Sequence, residues 1–321
     1  MAPIVVQIPL VTRFRRVTMR RAVLIQGPAG WGEFSPFPEY TPEVTRWWWA
    51  CAQEAAMQGW PPPLRHSIPV NTTVPAVDPD TAHAMVLASG CTTAKIKVAD
   101  PGHTLAQDQA RVEAVADALG PAGHIRIDAN AAWDVDQAVT ALRLLDRAAG
   151  GLQYAEQPCA TLAQMAQVRR KVNVLIAADE SIRTAEDPLR VAGLEAADLI
   201  VVKVQPLGGV RRALAVVEAA GLPAVVSSAI ETSVGLAAGA ALAAALPSLP
   251  YACGLGTASL LRGDVTAQPL HPVNGHIPVR RPRVDPDLLQ RWAAPDAEAE
   301  IDRYRAAAAA VGAAATDEGS S

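Results

Sequence analysis

A repeating unit, in which a short apolar segment precedes a helical one, occupies the middle of this 321-residue chain. The apolar segments are nearly continuous in Val, Ile, Leu and Ala, which is typical of parallel strands buried on both faces. We predict strands at residues 94–98, 125–128, 152–156, 174–179, 199–203, 224–228 and 252–256, with an earlier candidate at 68–73. Eight strands that alternate with helices over about 190 residues indicate a (β/α) barrel of the α/β class.

Amphipathic segments with start and stop signals separate these strands. Residues 134–149 begin at the N-cap residue Asp134, carry apolar residues at helical spacing and end before Gly150. Residues 210–220 show the same pattern and end before a glycine. An open doubly wound sheet is the alternative fold. That fold usually carries a glycine-rich phosphate-binding turn after its first strand, and no such turn occurs in this sequence.

The sequence divides into three zones. Residues 1–66 contain strand-like segments and a predicted helix from Pro42 to about Gly59, and three consecutive prolines then end the zone. We place the barrel at residues 67–268. A C-terminal segment follows at residues 269–321, and we expect about its last 12 residues to be disordered because the sequence becomes Ala-rich and then polar.

Composition excludes several classes of function. The net charge is −4, and no basic segment interleaved with aromatic residues predicts a nucleic-acid surface. The apolar stretch at residues 234–246 is shorter than the roughly 20 residues that span a bilayer. Four cysteines lie far apart without a CxxC pair, which is typical of reduced thiols in the cytoplasm. We therefore expect a cytoplasmic monomer or homodimer that binds neither nucleic acid nor membrane.

Polar side chains close successive strands of the predicted barrel. They are Lys95 and Lys97, then Asp128, Glu156, Asp179, Lys203 and Ser228. From Lys97 onward the steps are 31, 28, 23, 24 and 25 residues, so each step is one strand-plus-helix unit. Because active-site groups of a parallel barrel project from the carboxyl ends of its strands, we expect these side chains to meet at one mouth.

The residue types at these ends predict metal-assisted removal of a proton beside a carboxylate. Three carboxylates on consecutive strands supply the hard oxygen ligands that Mg²⁺ prefers, and Mn²⁺ favours the same ligands. The negative charge that develops on the substrate must be stabilised electrostatically. A lysine base needs a lowered pKa, which we attribute for Lys97 to the metal and to Lys95 on the same strand face. A single carboxylate after a strand is more often a helix N-cap, so the prediction rests on the ordered set.

The motifs around these residues resemble the enolase superfamily. They are the segments at residues 95–97 (KIK), 126–130 (RIDAN), 154–158 (YAEQP), 178–181 (ADES) and 202–209 (VKVQPLGG). Residues 30–36 resemble the capping domain of that superfamily, so the resemblance spans essentially the whole chain. It implies a (β/α)7β TIM-like barrel with an N-terminal α+β capping domain that the C-terminal segment completes.

Within the superfamily, the sequence is similar to the o-succinylbenzoate synthase family in three features. The cap is short, and the seventh-strand segment 227–235 and the eighth-strand segment 252–257 resemble those of that family. The similarity implies a Mg²⁺-dependent hydro-lyase of menaquinone biosynthesis that acts on a small carboxylate. The implied reaction is syn-dehydration of 2-succinyl-6-hydroxy-2,4-cyclohexadiene-1-carboxylate to 2-succinylbenzoate through an enediolate that the metal stabilises.

The resemblance also implies roles for individual residues. The implied metal ligands are Asp128, Glu156 and Asp179. The implied catalytic lysines are Lys97, which removes the α-proton and protonates the departing hydroxyl, Lys203, which stays cationic at the other face of the ring, and Lys95, which tunes Lys97. The implied substrate-binding residues are Ser227, Ser228, Gly254, Arg126 and Arg15, the last in a loop that closes over the substrate. Asn130 and Glu180 are implied supports of the metal ligands, a role that Arg126 also fits.

Two other functions fit the same residues. An N-succinylamino acid racemase needs a base on each face of its substrate, and Lys97 and Lys203 supply both. The short cap and the absence of an acidic pair in the eighth-strand loop disfavour it. A catalytically silent metal-binding barrel is the non-enzyme alternative. An inactive relative is expected to lose a lysine or a carboxylate, whereas this sequence keeps them all.

Overall fold

Three antiparallel strands and one helix form the N-terminal cap. The computed structural model describes residues 2–14, 17–182, 190, 191 and 193–318, with side chains up to residue 312. The cap elements are β1 (Ile4–Phe14), β2 (Val17–Gly27), β3 (Gly30–Phe34) and α1 (Pro42–Gln53), which continues as the π-helical turn Glu54–Gln58. The helix therefore ends near Gly59, as predicted, because this glycine adopts a φ of 76° that is easy only without a Cβ.

A parallel sheet of seven strands in chain order forms the barrel. After the short strand β4 (Ser67–Pro69), its strands are β5 (Thr72–Val74), β6 (Thr93–Lys97), β7 (His124–Asp128), β8 (Leu152–Glu156), β9 (Ile176–Ala178), β10 (Leu199–Lys203) and β11 (Ala224–Ser227). Side chains that point inward fill the barrel below its mouth, among them Tyr154, Ala177, Leu199, Val201 and Val225. The predicted barrel is confirmed, and its core lies directly beneath the strand ends.

The barrel closes through residues 252–256, but as isolated bridges rather than the full eighth strand that the sequence predicts. Cys253 forms a parallel bridge with Val70, and Gly254 forms one with Ser227. A Cβ at Gly254 would lie 2.5 Å from the hydroxyl oxygen of Ser227, so only glycine fits this approach. The strand expected at 68–73 is likewise divided between β4 and β5.

Helices follow the strands of the barrel, and most of them begin at a residue whose side chain caps the helix. In the described residues they are α2 (Pro79–Ser89), α3 (Leu105–Leu119), α4 (Val135–Ala149), α5 (Leu162–Arg169), α6 (Val204–Leu207), α7 (Val210–Ala220) and α8 (Ser233–Ala245). Capping boxes begin α3, α4 and α5, and each satisfies backbone N–H groups that the first helical turn leaves free. Helix α4 starts after Asp134 and ends at the left-handed Gly150, which confirms the prediction.

Helix α8 is buried nearly all round. Its Ala-rich sequence is apolar on every face, which is typical of a helix inside a larger core. Arg65 donates to the carbonyl oxygens of Ala243 at 2.6 Å and Leu246 at 2.7 Å, and so satisfies the carboxyl end of the helix. In the part of the chain that the structure describes, no helix is both long and apolar enough to cross a membrane.

The C-terminal segment returns to the cap. Its elements are β12 (His276–Pro278), which pairs with β4, then α9 (Pro286–Arg291) and α10 (Glu298–Glu318). Tyr304 of α10 packs edge-on against Phe34, with ring centroids 5.4 Å apart, and accepts a hydrogen bond from Gln53 at 2.7 Å. Although we expected about the last 12 residues to be disordered, the helix extends to Glu318, and residues 319–321 lie outside the described residues.

Candidate active site

Strand register brings the predicted site residues to one level of the barrel. Lys97 is the Cα partner of Asp128 across β6 and β7, and Asp128 is the partner of Glu156 across β7 and β8. On the other side of the barrel, Lys203 pairs with Ser227. Because the strands are parallel, these residues all lie at the carboxyl ends, where a barrel presents its chemistry.

A cleft of about 400 Å³, partly open to solvent, lies above these strand ends. Its charged lining residues are Lys95, Lys97, Asp128, Asp179 and Lys203. Glu156 does not line the cleft. Its carboxylate is buried and receives the Lys95 ammonium at 2.8 and 2.9 Å.

Lys95 is the cation that balances the buried carboxylates. Besides Glu156, its Nζ contacts an oxygen of Asp128 at 3.3 Å. Burial opposes the charge, but the negative charges of Glu156 and Asp128 outweigh burial and raise the pKa of Lys95 above its ordinary value. Lys95 therefore stays an ammonium, and its fixed charge acts on Lys97 two residues away.

The pKa of Lys97 is lowered instead of raised, which is what a lysine that accepts a proton requires. Its Nζ donates to Asp128 and to Oδ1 of Asn130, the latter at 2.7 Å. Burial lowers the pKa of Lys97 most, Asp128 opposes this, and the positive charge of Lys95 lowers the pKa further. The role of Lys95 in tuning Lys97 stays a prediction, with which this direction of the pKa is consistent.

The pKa values of Glu156 and Asp128 shift in opposite directions in this environment. Burial and the neighbouring Asp128 raise the pKa of Glu156 to about 7. Burial also acts on Asp128, but the ammonium groups of Lys97 and Lys95 outweigh it and hold its pKa well below the ordinary range. Across the cleft, Lys203 donates to Asp179. Each predicted ligand thus faces a lysine.

The donor set has the chemistry of a site for a hard divalent cation. Three carboxylates on consecutive strands offer oxygen ligands of the type that Mg²⁺ or Mn²⁺ prefers. Within the described ranges, no three acidic, imidazole or thiol groups lie closely enough around one point to hold a metal. The lysines account for this arrangement, because buried carboxylates turn towards the cations that neutralise them. The donor types suit a hard divalent ion, and in this arrangement each of the three carboxylates contacts a lysine ammonium.

Backbone strain and amide side chains support the ligands. Asn130 has a φ of 45°, donates from its backbone N–H to Asp128 at 2.9 Å, and donates from its side chain to Glu180 at 3.2 Å. Asn130 and Glu180, which we predict to support the ligands, therefore lie in one hydrogen-bonded chain with Asp128. Gln157, also left-handed with a φ of 39°, accepts a hydrogen bond from the backbone of Asp179 at 3.0 Å. Gln157 belongs to the motif at residues 154–158, but the sequence alone indicates no role for it.

Three of the predicted substrate-binding residues line the cleft. Ser227, Ser228 and Gly254 lie together on one wall. The Ser228 hydroxyl donates to the carbonyl oxygen of Gly254 at 2.8 Å and lies at the same distance from the hydroxyl of Thr257. Arg15 lies outside the described residues.

Arg126, which we predict to bind substrate, is not among the described residues that line the cleft. It is fully buried in the barrel interior and donates to the carbonyl oxygen of Ala252 at 2.7 Å. Its guanidinium also lies 4.8 Å from the ring centroid of Tyr154 and 5.9 Å from that of Tyr251. The position two residues before Asp128 places Arg126 on the same strand face but one layer lower.

The structure adds lining residues that the sequence reasoning missed. Phe14 and Phe37 come from the cap, and the Lys97 ammonium lies 5.4 Å from the centre of the Phe14 ring. Thr73 and Ile230 line the cleft from the barrel. Thr73 was accessible to prediction, because it ends the candidate strand at 68–73. The cap residues carried no such signal, since nothing in their spacing connects them to the strand ends.

Comparisons with known proteins agree with this geometry. The family model described as Enolase C-terminal domain-like matches residues 79–288, and Enolase N-terminal domain-like matches residues 5–56. An o-succinylbenzoate synthase of Thermobifida fusca is 62% identical over 92% of this chain and 90% of that protein. One from Mycolicibacterium smegmatis is 49% identical over 93% of this chain and 92% of its own. A substrate-liganded L-Ala-D/L-Glu epimerase structure from Bacillus subtilis is 25% identical, with a TM-score of 0.76 over 88% of this chain and 96% of its own.

Proposed function

Because the chain belongs to the enolase superfamily and its relatives are named o-succinylbenzoate synthases, we propose that it forms o-succinylbenzoate by a dehydration. The reaction converts 2-succinyl-6-hydroxy-2,4-cyclohexadiene-1-carboxylate into 2-succinylbenzoate in menaquinone biosynthesis, and the enzyme is a hydro-lyase. One observation carries the assignment of roles. Lys97 and Lys203 line the same cleft from β6 and β10, with the three carboxylate-bearing positions between them in strand order.

Lys97 performs both proton transfers. In its neutral form it accepts the α-proton beside the substrate carboxylate, and the resulting ammonium then protonates the departing hydroxyl. The C–O bond breaks, water leaves, and the ring becomes aromatic. A lowered pKa favours the first transfer and an acidic ammonium favours the second, so one lysine serves a syn elimination.

Asp128, Glu156 and Asp179 would hold a divalent cation, which we propose to be Mg²⁺ with Mn²⁺ as a substitute. When bound, the ion supplies electrostatic stabilisation for the negative charge that develops on the substrate carboxylate. The Lys95 ammonium balances part of the negative charge of these three carboxylates, because it contacts both Glu156 and Asp128.

Lys203 holds charge without transferring a proton. It lies across the cleft from Lys97 and donates to Asp179. As a cation at the opposite face of the substrate ring, it interacts favourably with the ring and with negative charge that develops there. Ser227, Ser228 and the backbone at Gly254 form the wall that we assign to the succinyl carboxylate.

The test is turnover of the cyclohexadiene substrate by the purified protein, followed by ultraviolet absorbance. We expect conversion with added MgCl₂, little conversion with a chelator, and recovery when MgCl₂ or MnCl₂ is restored. No absorbance change at any metal concentration contradicts the proposal and favours the catalytically silent alternative. Incubating N-succinyl amino acids in deuterated water tests the racemase alternative, because a racemase exchanges the α-proton.

The relatives favour dehydration over racemisation, since two o-succinylbenzoate synthases match at 62% and 49% identity. We further propose a cytoplasmic location and a monomeric or homodimeric state. The location is supported by four cysteine thiols that are all free and buried. Size measurement in solution decides the oligomeric state.

A further inference from the structure

The loop between β11 and α8 is strained where it meets the cleft. Its residues Ser228, Ala229 and Ile230 all line the cleft. Ile230 has a φ of 61°, a left-handed conformation that is a genuine outlier for a β-branched residue. Strain of this kind persists only where surrounding structure enforces it. The contacts around Ile230 therefore indicate what holds this wall of the cleft in place.

Arg20 of the cap holds the strained residue directly. It is 6% exposed, and its Nε donates to the carbonyl oxygen of Ile230 at 3.1 Å. A second guanidinium nitrogen donates to the carbonyl oxygen of Ser35 at 2.5 Å, and the guanidinium lies 4.3 Å from the ring centroid of Phe37. Arg20 thus joins the strained loop to cap residues, one of which, Phe37, itself lines the cleft.

Glu33 of the cap holds the other end of the same loop. One carboxylate oxygen accepts hydrogen bonds from the Thr232 hydroxyl at 2.5 Å and the Gly235 N–H at 2.9 Å. The other oxygen accepts from the Ser35 hydroxyl at 2.7 Å. Glu33 therefore sits at the amino end of α8, where backbone N–H groups and the helix dipole favour a carboxylate.

Glu231 completes the arrangement from within the loop. Its side chain is 4% exposed and accepts a hydrogen bond from the Ala229 N–H at 2.7 Å. The positive charge of Arg20 acts on both Glu231 and Glu33. Arg20, Glu33 and Glu231 thus form one buried cluster of a cation and two carboxyl groups. This cluster connects the strained loop to the cap sheet.

We propose that Arg20 and Glu33 are positioning residues that hold the loop at residues 228–232 in its substrate-binding conformation. Neither side chain is among the described residues that line the cleft, so these two residues act on substrate affinity through this loop and, for Arg20, through Phe37. The inference rests on the proposed function, because the relevant affinity is that for the cyclohexadiene dicarboxylate. It also predicts a local structural effect that needs no substrate.

The chain provides a matched control in Glu54. Like Glu33, it is a buried cap carboxylate at the amino end of a barrel helix, and it accepts from the backbone N–H groups of Val210 at 2.5 Å and Arg211 at 3.1 Å. The residues of α6, which lead from Lys203 towards that helix, do not line the cleft. Glu54 also accepts from the Arg211 guanidinium at 2.9 Å, so Glu54→Gln disturbs at least as many contacts between cap and barrel without touching the substrate wall.

Steady-state kinetics of Arg20→Lys, Glu33→Gln and Glu54→Gln test the affinity. Loss of a hydrogen bond to a charged group corresponds to about a 10-fold change, so we expect KM to rise about 10-fold for Arg20→Lys and Glu33→Gln. We expect kcat to fall much less, and Glu54→Gln to keep the wild-type KM despite a lower thermal midpoint. An unchanged KM in folded Arg20→Lys and Glu33→Gln, or an equal rise in Glu54→Gln, overturns the proposal.

Amide hydrogen exchange of the free proteins provides the readout that is independent of turnover. We expect faster exchange at residues 229–235 in Arg20→Lys and Glu33→Gln, and at residues 210–212 in Glu54→Gln. Wild-type exchange at residues 229–235 in both cap variants overturns the inference, whether or not the substrate is turned over. Absence of wild-type turnover instead contradicts the proposed function. If Arg20→Lys does not fold, Glu33→Gln decides both measurements.

Discussion

At the scale of single residues, Lys95 and Lys97 show how one strand gives two lysines different chemistry. Both side chains point into the mouth of the barrel, and burial lowers the pKa of each. Lys95 also contacts Glu156 and Asp128, whose charges outweigh burial, whereas Lys97 meets Asp128 and the neutral Asn130. The different partners of the two lysines therefore separate the permanent cation from the lysine that we propose exchanges protons.

The first prediction concerns Lys97→Ala. Removing the group that accepts and returns the proton should lower kcat by about 10²- to 10⁴-fold, the usual contribution of general acid–base catalysis. The measurement is the initial rate of absorbance change with saturating MgCl₂. Lys171→Ala is the control, because Lys171 lies at the surface near Asp136 and should keep wild-type activity. A Lys97→Ala variant with near-wild-type turnover shows that the base is another residue.

The second prediction concerns Asn130→Asp and the pH dependence of kcat/KM. Asn130 Oδ1 accepts from Lys97 at 2.7 Å, so a carboxylate there should raise the lysine pKa by about one unit. Because the neutral lysine is the base, the rise of kcat/KM with pH should move to higher pH. Asn274→Asp is the control, since Asn274 is another left-handed asparagine but is exposed. A shift to lower pH, or none, contradicts the assigned contact.

At the scale of elements, local signals predicted those parts of the fold that depend on neighbours in sequence. Strands β8 and β10 have the predicted bounds, and helix α4 lies between its predicted caps. The eighth strand at 252–256 was overestimated because its pairing depends on how Val70 and Ser227 approach it, and those contacts are distant in sequence.

The candidate site shows the same division. Residues at strand ends could be predicted, since one rule of barrel geometry brings Lys97, Asp128 and Lys203 to the same mouth. Whether Arg126 reaches the cleft could not be predicted from spacing, because its register partner Lys95 lines the cleft and Arg126 does not. Phe14 and Phe37 could not be predicted, because docking of the cap, rather than spacing along the chain, brings them to the cleft.

The third prediction uses Glu33, which joins the cap to the amino end of α8. Burial raises its pKa from an ordinary value of 4.5 to about 7. The unfolded chain therefore ionises at lower pH than the folded protein, and stability falls as pH rises between these values and then levels off. The loss attributable to this residue is on the order of 3 kcal/mol, from 1.36 kcal/mol per pKa unit.

Urea unfolding of wild type and Glu33→Gln between pH 4 and pH 8 measures this effect. Between about pH 4.5 and pH 7, the free energy of unfolding of the wild type should fall as pH rises, relative to that of Glu33→Gln. Glu298→Gln, a substitution at an exposed residue, should leave the difference from wild type independent of pH. A pH-independent difference for Glu33→Gln contradicts the raised pKa.

At the scale of the whole molecule, the cap and the barrel are joined by charged contacts at several places. Glu33 and Glu54 of the cap each accept hydrogen bonds at the amino end of a barrel helix. The Arg212 guanidinium of the barrel stacks over Trp47 of α1 and lies 3.6 Å from the centroid of the Trp47 ring. The cap therefore does more than cover the mouth, since it supplies lining residues and holds the loop that carries others.

At this scale we propose that Asp128, Glu156 and Asp179 share one divalent ion between Lys97 and Lys203. A crystal structure with MgCl₂ and 2-succinylbenzoate tests it most directly. We predict one ion with an oxygen of each carboxylate at about 2.1 Å, and the two lysine Nζ atoms on opposite sides of the bound ring. An ion held elsewhere, or a product ring with both lysines on one side, contradicts the account.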